Sequence, residues 1–283
     1  MVLIDFNGIV ISNIVTQKIG ADENLIRHMI LNSLRMYRKK FQKYGEMVIV
    51  ADGGGNWRKD VFDLYKAARK KNRDESKLDW DGILKIKQKI QDEIKEHFPY
   101  RVMHVWGCEA DDVIAVLTQE TQSFGKYEDV IIVSSDKDFV QLQKQGNVQQ
   151  FSPFTKKFIK DDHSDETLFE HIVKGDGSDG VPNILSQDDV FMVDGVRQKS
   201  VSKKFLSELW EAYPNLETVL DKEQLDKFNR NKKLIDLSEI PEDVKENIIN
   251  IYGKTKVVKG KGKILKYLVK NKCTQLVDKI QEF

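Results

Sequence analysis

Five carboxylates crowd into two short stretches of this chain. Gly107-Cys108-Glu109-Ala110-Asp111-Asp112 puts three of them into four residues. Ser134-Ser135-Asp136-Lys137-Asp138-Phe139 puts two at i and i+2, directly after the apolar run Val130-Ile131-Ile132-Val133. If the first stretch opens a helix, Glu109 and Asp112 share a face and Asp111 points to one side. If the second sits at a strand end, Asp136 and Asp138 point the same way. Like charges this close repel, and burial strengthens the repulsion. A fold keeps such a cluster when cations neutralise it, and oxygen donors suit hard divalent cations.

Two further acids fall where apolar runs end. Val2-Leu3-Ile4 closes on Asp5 and Phe6 before an Asn7-Gly8 turn, and Met47-Val48-Ile49-Val50-Ala51 closes on Asp52 and Gly53-Gly54-Gly55. Open parallel sheets gather ligands at the carboxyl ends of their strands. Taken singly, each aspartate is an ordinary turn or helix-cap residue; the repetition is what points to a site. Gly175-Asp176-Gly177-Ser178-Asp179-Gly180 is either a plain surface loop or a tight turn offering two more carboxylates. Neither His nor Cys accompanies these acids at ligand spacing, which favours magnesium or manganese over zinc. Together Asp5, Asp52, Glu109, Asp111, Asp112, Asp136, Asp138, Asp176 and Asp179 exceed the needs of one ion. They suit two ions about 4 Å apart, clamping the attacking and leaving oxygens of a phosphodiester.

The elements that must position these residues follow from periodicity. Apolar runs predict strands at 2–6, 47–51, 100–106, 129–133 and 147–151, and helical spacing predicts helices over 22–43, 80–98 and 109–122. Strands alternating with helices define an α/β fold with a mainly parallel central sheet and flanking helices. Past residue 163 the pattern turns helical, at 168–174, 201–213, 225–234 and 243–252. This divides the chain into an α/β domain, 1–163, and a smaller helical domain, 164–283, that contributes Asp176 and Asp179.

Charge is segregated along the chain. Its 283 residues carry 46 Lys+Arg against 45 Asp+Glu, for a net charge of +1. Residues 56–77 hold Arg58, Lys59, Lys66, Arg69 and Lys70 among other bases, interleaved with Trp57, Phe62 and Tyr65. Cations for phosphates and rings for stacking suit an element that tracks a nucleic-acid strand; a solvated helix with anchoring rings is the plainer alternative. Residues 254–272 carry eight lysines and no acid, and Lys259-Gly260-Lys261-Gly262-Lys263 reads as a flexible basic turn for phosphate or an acidic partner. Cys108 and Cys273 lie far apart, which excludes a disulfide framework and a zinc ribbon and fits a reducing cytoplasm. No apolar run approaches the roughly 18 residues of a membrane span.

The chain resembles the flap endonuclease or 5′-nuclease family, and within it the phage ribonuclease H proteins of T-even type. The likeness is carried by Leu3-Ile4-Asp5-Phe6, Asp52, Trp57-Arg58-Lys59-Asp60, Tyr65-Lys66, Glu109-Ala110-Asp111-Asp112, Ser134-Ser135-Asp136-Lys137-Asp138-Phe139, Lys174-Gly175-Asp176 with Asp179, and the ending Glu282-Phe283. The resemblance implies a PIN-like nuclease domain with a bridge region near 53–77 that is mobile without DNA. It also implies a helix-hairpin region in the second domain that binds duplex backbone. It implies a 5′-to-3′ exonuclease and flap endonuclease acting on duplex, flapped or forked DNA and on RNA–DNA hybrid, removing RNA primers during replication. Two Mg2+ ions, or Mn2+ in their place, would serve it. One would lie near Asp5, Asp52, Asp111 and Asp136 with Glu109 close by, the other near Asp138, Asp176 and Asp179. Lys66 and Arg69 would orient the scissile phosphate, and Lys199, Lys203 and Lys204 would contact other phosphates, although Val193-Asp194-Gly195-Val196-Arg197 lacks the Gly-x-Gly signature of cellular members. A monomer in the host cytoplasm is implied, with a single-strand DNA-binding protein docking on the basic C-terminal stretch. The T-even branch carries an acidic N-terminal extension linked to sliding-clamp binding. The resemblance thus implies the sliding clamp as a further partner, with the departure that this sequence starts almost directly at the first strand.

Other phosphoryl chemistries fit less well. A haloacid-dehalogenase-type phosphatase needs a second acid two residues after Asp5, where this chain has Asn7. A TOPRIM module would use Asp136-Lys137-Asp138 but has no need of Asp5, Asp52, Asp176 and Asp179. An inactive DNA-binding relative would have no reason to hold nine acids whose repulsion costs stability without metal.

Overall fold

Five buried parallel strands and one short antiparallel one make a single sheet of order β3-β2-β1-β4-β5-β6, with β1 Val2–Asp5, β2 Met47–Asp52, β3 Arg101–Val105, β4 Val130–Val133, β5 Val148–Phe151 and β6 Phe158–Ile159. The computed structural model describes residues 1–17, 20–69, 78–123 and 127–283. The near-continuous apolar runs of β1, β2 and β4 are those of strands covered on both faces. The chain winds outward from β1 through β2 to β3, then returns to pair β4 with the other edge of β1. That reversal sets a switch point between β1 and β4, and crevices at such points are where ligands bind. The expected strands are all present; β6 is an addition, a two-residue strand pairing Phe151 with Phe158.

Local chemistry explains the helices. Asp22 accepts from the Asn24 and Leu25 amides at the start of Glu23–Lys40, and Asp79 accepts from Gly82 at the start of Trp80–His97. Their apolar stripes, Ile26, Ile30 and Leu34 on one and Ile83, Ile90 and Ile94 on the other, are buried in one core with the sheet. One expectation fails here. Asn7 and Gly8 form no turn but lie in the first turn of the helix Phe6–Gln17, which leaves β1 directly.

Contacts divide the chain into two compact units that are discontinuous in sequence: Met1–Gly54, Lys77–Lys160 and Asp243–Phe283 form one, Gly55–Ser76 and Asp161–Glu242 the other. The sequence division falls close by, at residue 163, but places 243–283 with the helical part. Packing explains the difference. Ile264, Tyr267, Leu268 and Leu276 are buried in the core that surrounds the sheet. The Tyr267 hydroxyl donates to Glu93 at 2.6 Å, and Glu93 also takes the fully buried Arg27 at 2.9 Å. The expected flexible basic turn becomes the start of a helix, Lys261–Lys270, entered through Gly260 at φ 113°. In the helical unit Phe62, Tyr65, Phe169, Val173, Leu209, Phe228 and Leu234 make a second core. Among the described residues, no helix is long and apolar enough to cross a membrane.

Candidate active site

Asp5 ends β1 and is buried. Its Oδ1 accepts from the Gly8 amide at 2.9 Å, so it caps the helix that follows, and its Oδ2 accepts from the Ser134 hydroxyl at 2.8 Å. Burial pushes its carboxyl pKa up; the Gly8 and Ser134 hydrogen bonds oppose that, the charge of Asp52 adds to it, and Lys87 offsets it. Ser134 also accepts from the Asp136 amide at 3.1 Å, tying the end of β4 to the end of β1. The Gln150 side chain donates to the carbonyls of Ser134 and Asp136 from β5, fixing that loop. Asp136 and Asp138 do not project from an extended strand as the i, i+2 spacing suggests. Asp136 caps a 3₁₀ turn, Lys137–Lys144, its carboxylate accepting from the Asp138 amide at 3.0 Å.

Asp52, at the end of β2, is gripped at both oxygens. Oδ1 accepts from the Ala110 amide at 3.0 Å, at the positive end of the helix Ala110–Gln122, and Oδ2 accepts from the Asn7 side-chain amide. The Asn7 carbonyl accepts in turn from the Lys87 ammonium at 2.6 Å. Two backbone hydrogen bonds, Gly53 N to Cys108 O at 2.9 Å and Gly107 N to Gly54 O at 2.8 Å, lace the loops that follow β2 and β3. Gly53 is required there, because a Cβ would sit 1.6 Å from the Val105 carbonyl oxygen.

Glu109 and Asp112 do not simply share a helix face. Glu109 is the N-cap residue and forms a capping box with Asp112, whose Oδ2 accepts from the Glu109 amide at 2.9 Å. Asp112 is 0% exposed, a structural position, whereas Asp111 is partly exposed beside it. Asp5 and Asp136 are therefore joined through Ser134 at the ends of β1 and β4, and Asp52 at the end of β2 is joined separately to Asn7 and to the start of Ala110–Gln122. Lys87 offers one positive charge against the two of Asp5 and Asp52. That excess of oxygen-borne negative charge fits a hard divalent cation.

In the helical unit the acids have other partners. Asp176 follows the helix Ser164–Lys174, with His171 Nε2 at 3.4 Å and the Ser178 amide at 2.7 Å. Burial opposes its charge, yet the hydrogen bonds from His171 and Ser178 outweigh that and hold its carboxyl well below the usual range. Asp179 accepts from the Tyr65 hydroxyl at 2.8 Å and pairs with Lys66 at 3.3 Å and with Arg69. Lys66 and Arg69, expected on phosphate, and Asp179, expected on metal, are thus one another's partners in this structure. Arg58 is a correction. It is 3% exposed, with Nε on the Leu234 carbonyl at 2.8 Å and its guanidinium over the Trp57 ring, so it anchors the basic segment and is no part of an exposed track. Lys59, Lys199, Lys203 and Lys204 are exposed. Lys70 lies outside the described residues.

Sequence reading missed Asn7, Lys87, Ser134 and His171 as site residues. Lys87 left a signal: it stands four residues after Ile83 and three before Ile90, a lysine on the buried stripe of its helix.

Residues 3–171 match the family model described as 5′-3′ exonuclease, N-terminal resolvase-like domain. The chain belongs to the 5′-3′ exonuclease family. Residues 163–283 of this family member match a second model, T4 RNase H, C terminal. Ribonuclease H of Enterobacteria phage T4 is 34% identical over 292 residues, covering 99% of this chain and 95% of that protein. A T5 5′-exonuclease structure described with bound divalent metal ions (zinc) superposes with a TM-score of 0.67 at 15% identity, over 90% of this chain and 98% of the other. A T5 flap endonuclease in a pseudo-enzyme–product complex with DNA and metal ions superposes with a TM-score of 0.66 at 14% identity, over the same shares. At these identities the structural likeness is one of fold: a resolvase-like α/β nuclease domain with a helical partner, as the sequence resemblance implied.

Proposed function

We propose that this family member is a divalent-cation-dependent 5′ nuclease. It hydrolyses RNA and DNA strands from their 5′ ends in duplex, cuts at flap junctions and removes RNA primers during replication. The observation that carries the reading is the gathering of Asp5, Asp52 and Asp136 at the carboxyl ends of three adjacent strands. The full-length likeness to a ribonuclease H supports it. Two Mg2+ ions, with Mn2+ as a substitute, are the proposed cofactors. In the sheet unit Asp5, Asp52, Asp111, Asp136 and Asp138 would hold them with Glu109 alongside, and Asp176 and Asp179 are the proposed ligands from the helical unit. Bound there, such ions lower the pKa of a water and stabilise the leaving oxyanion.

The chain's own groups do the positioning. The Ala110 amide and Asn7 fix the Asp52 carboxylate, and Gly8 and Ser134 fix that of Asp5. Lys66 and Arg69 are the proposed phosphate-orienting groups, with Asp179 as the carboxylate that holds them when phosphate is absent. Lys59, Lys199, Lys203 and Lys204 supply sequence-independent backbone contacts, which makes binding fall steeply with salt. The exposed Lys261, Lys263, Lys266 and Lys270 of the C-terminal helix suit an acidic single-strand DNA-binding protein.

A 5′-labelled RNA–DNA hybrid and a flapped duplex, incubated with Mg2+ or with EDTA, test the reading. Short labelled products that require the metal support it; cleavage indifferent to EDTA overturns it.

A further inference from the structure

Lys87 has a place in this structure that the sequence reading did not assign. Its ammonium reaches the Asn7 carbonyl at 2.6 Å, and the Asn7 amide nitrogen donates to Asp52. An ammonium only donates and a carboxylate only accepts, so Asn7 has a single orientation between them: carbonyl toward Lys87, NH2 toward Asp52. With the Ala110 amide on its other oxygen, Asp52 is held from two sides. The same ammonium acts electrostatically on both Asp5 and Asp52, whose charges disfavour each other. Burial pushes the Lys87 pKa down while the two carboxylates pull it back up, as expected of a cation retained inside a fold for its charge.

Resting on the nuclease reading, we propose that Lys87 is a positioning residue for the cation site. Through Asn7 it fixes the Asp52 carboxylate, and its charge holds the Asp5–Asp52 pair together before any metal arrives. The same fixed charge repels an arriving cation, so Lys87 stabilises the metal-free chain and weakens metal binding. Its two effects oppose each other, which separates this role from that of a lysine that only fills space.

The test uses the full chain with Lys87→Gln, Lys87→Arg, Asp52→Asn and the Lys87→Gln/Asp52→Asn double variant. Urea denaturation in EDTA should show Lys87→Gln less stable than wild type and Lys87→Arg close to wild type. The loss should shrink in the Asp52→Asn background, where the carboxylate it serves is neutral. Should Lys87→Gln fail to fold in EDTA, the double variant should recover folding. Calorimetric titration with Mn2+ should show Lys87→Gln binding at least about tenfold more tightly than wild type, because a nearby unit positive charge that repels the ion is removed. Equal or weaker Mn2+ binding by Lys87→Gln overturns the proposal, as does an equal loss of stability in both backgrounds. A wild-type chain that binds no Mn2+ overturns the nuclease reading instead, and the comparison in EDTA still decides the Lys87–Asp52 coupling.

Discussion

Gly8→Ala sets helix propensity against a steric contact, and the two effects have opposite signs. Gly8 lies inside the helix Phe6–Gln17, where alanine is favoured over glycine by about 1 kcal/mol. A Cβ at this position would stand 2.4 Å from Asp5 Oδ2 and 3.0 Å from its Cγ. Aspartate is short, and this one is buried with Oδ1 on the Gly8 amide and Oδ2 on Ser134, so it cannot swing aside without losing hydrogen bonds. A hydrogen bond to a charged acceptor contributes about 1.5–3 kcal/mol. Losing one and gaining the alanine propensity leaves a net destabilisation of about 0.5–2 kcal/mol. The displaced carboxylate also misplaces the site, and an error of about 1 Å costs roughly 100-fold in rate. Urea denaturation in EDTA measures the first effect, and single-turnover cleavage of an RNA–DNA hybrid measures the second. A variant about 1 kcal/mol more stable than wild type, with cleavage intact, would refute the Asp5 geometry.

Two other substitutions probe separate parts of the molecule. Burial opposes the charge of Glu93, but hydrogen bonds from Arg27 and Tyr267 hold its carboxyl below its ordinary 4.5. A depressed acid stabilises the fold above its unfolded pKa and loses that contribution as pH falls through the folded one. Glu93→Gln should therefore cost about 1–3 kcal/mol at pH 7 in urea denaturation, because Arg27 loses one charged partner and keeps Glu23. The two proteins should converge well below pH 4.5; a constant gap across pH would count against the charge. Lys66→Ala should slow cleavage roughly 100-fold while leaving duplex affinity within a few-fold, because it removes an interaction with developing charge. A raised dissociation constant at unchanged single-turnover rate would remove Lys66 from that role.

The sheet could be read from sequence because buried parallel strands are short, continuous apolar runs, and Val2-Leu3-Ile4 and Val130-Ile131-Ile132-Val133 are unambiguous. The aspartates at their ends could be read for the same reason. What escaped was set by contacts between residues distant in sequence. Gly8 reads as a turn because glycine usually breaks helices; only the folded Asp5 side chain explains it. Asp136 and Asp138 read as same-face strand residues, but Ser134 and Gln150 bend the chain into a 3₁₀ turn. Arg58 reads as one base among many, and the Leu234 carbonyl that claims it lies 176 residues away. Likewise the lysines of 254–272 read as a basic stretch with a flexible turn, and the burial of Ile264, Tyr267 and Leu268 in the core around the sheet went unread.

The most direct test of a cation site at the strand ends is a crystal of the full chain grown or soaked in millimolar Mn2+, with anomalous scattering recorded at the manganese edge. Anomalous peaks in contact with the carboxylates of Asp5, Asp52, Asp111 or Asp136 are the predicted result. Manganese bound only elsewhere, with the Asp5 carboxylate still on Gly8 and Ser134 and that of Asp52 still on Asn7 and Ala110, would contradict it.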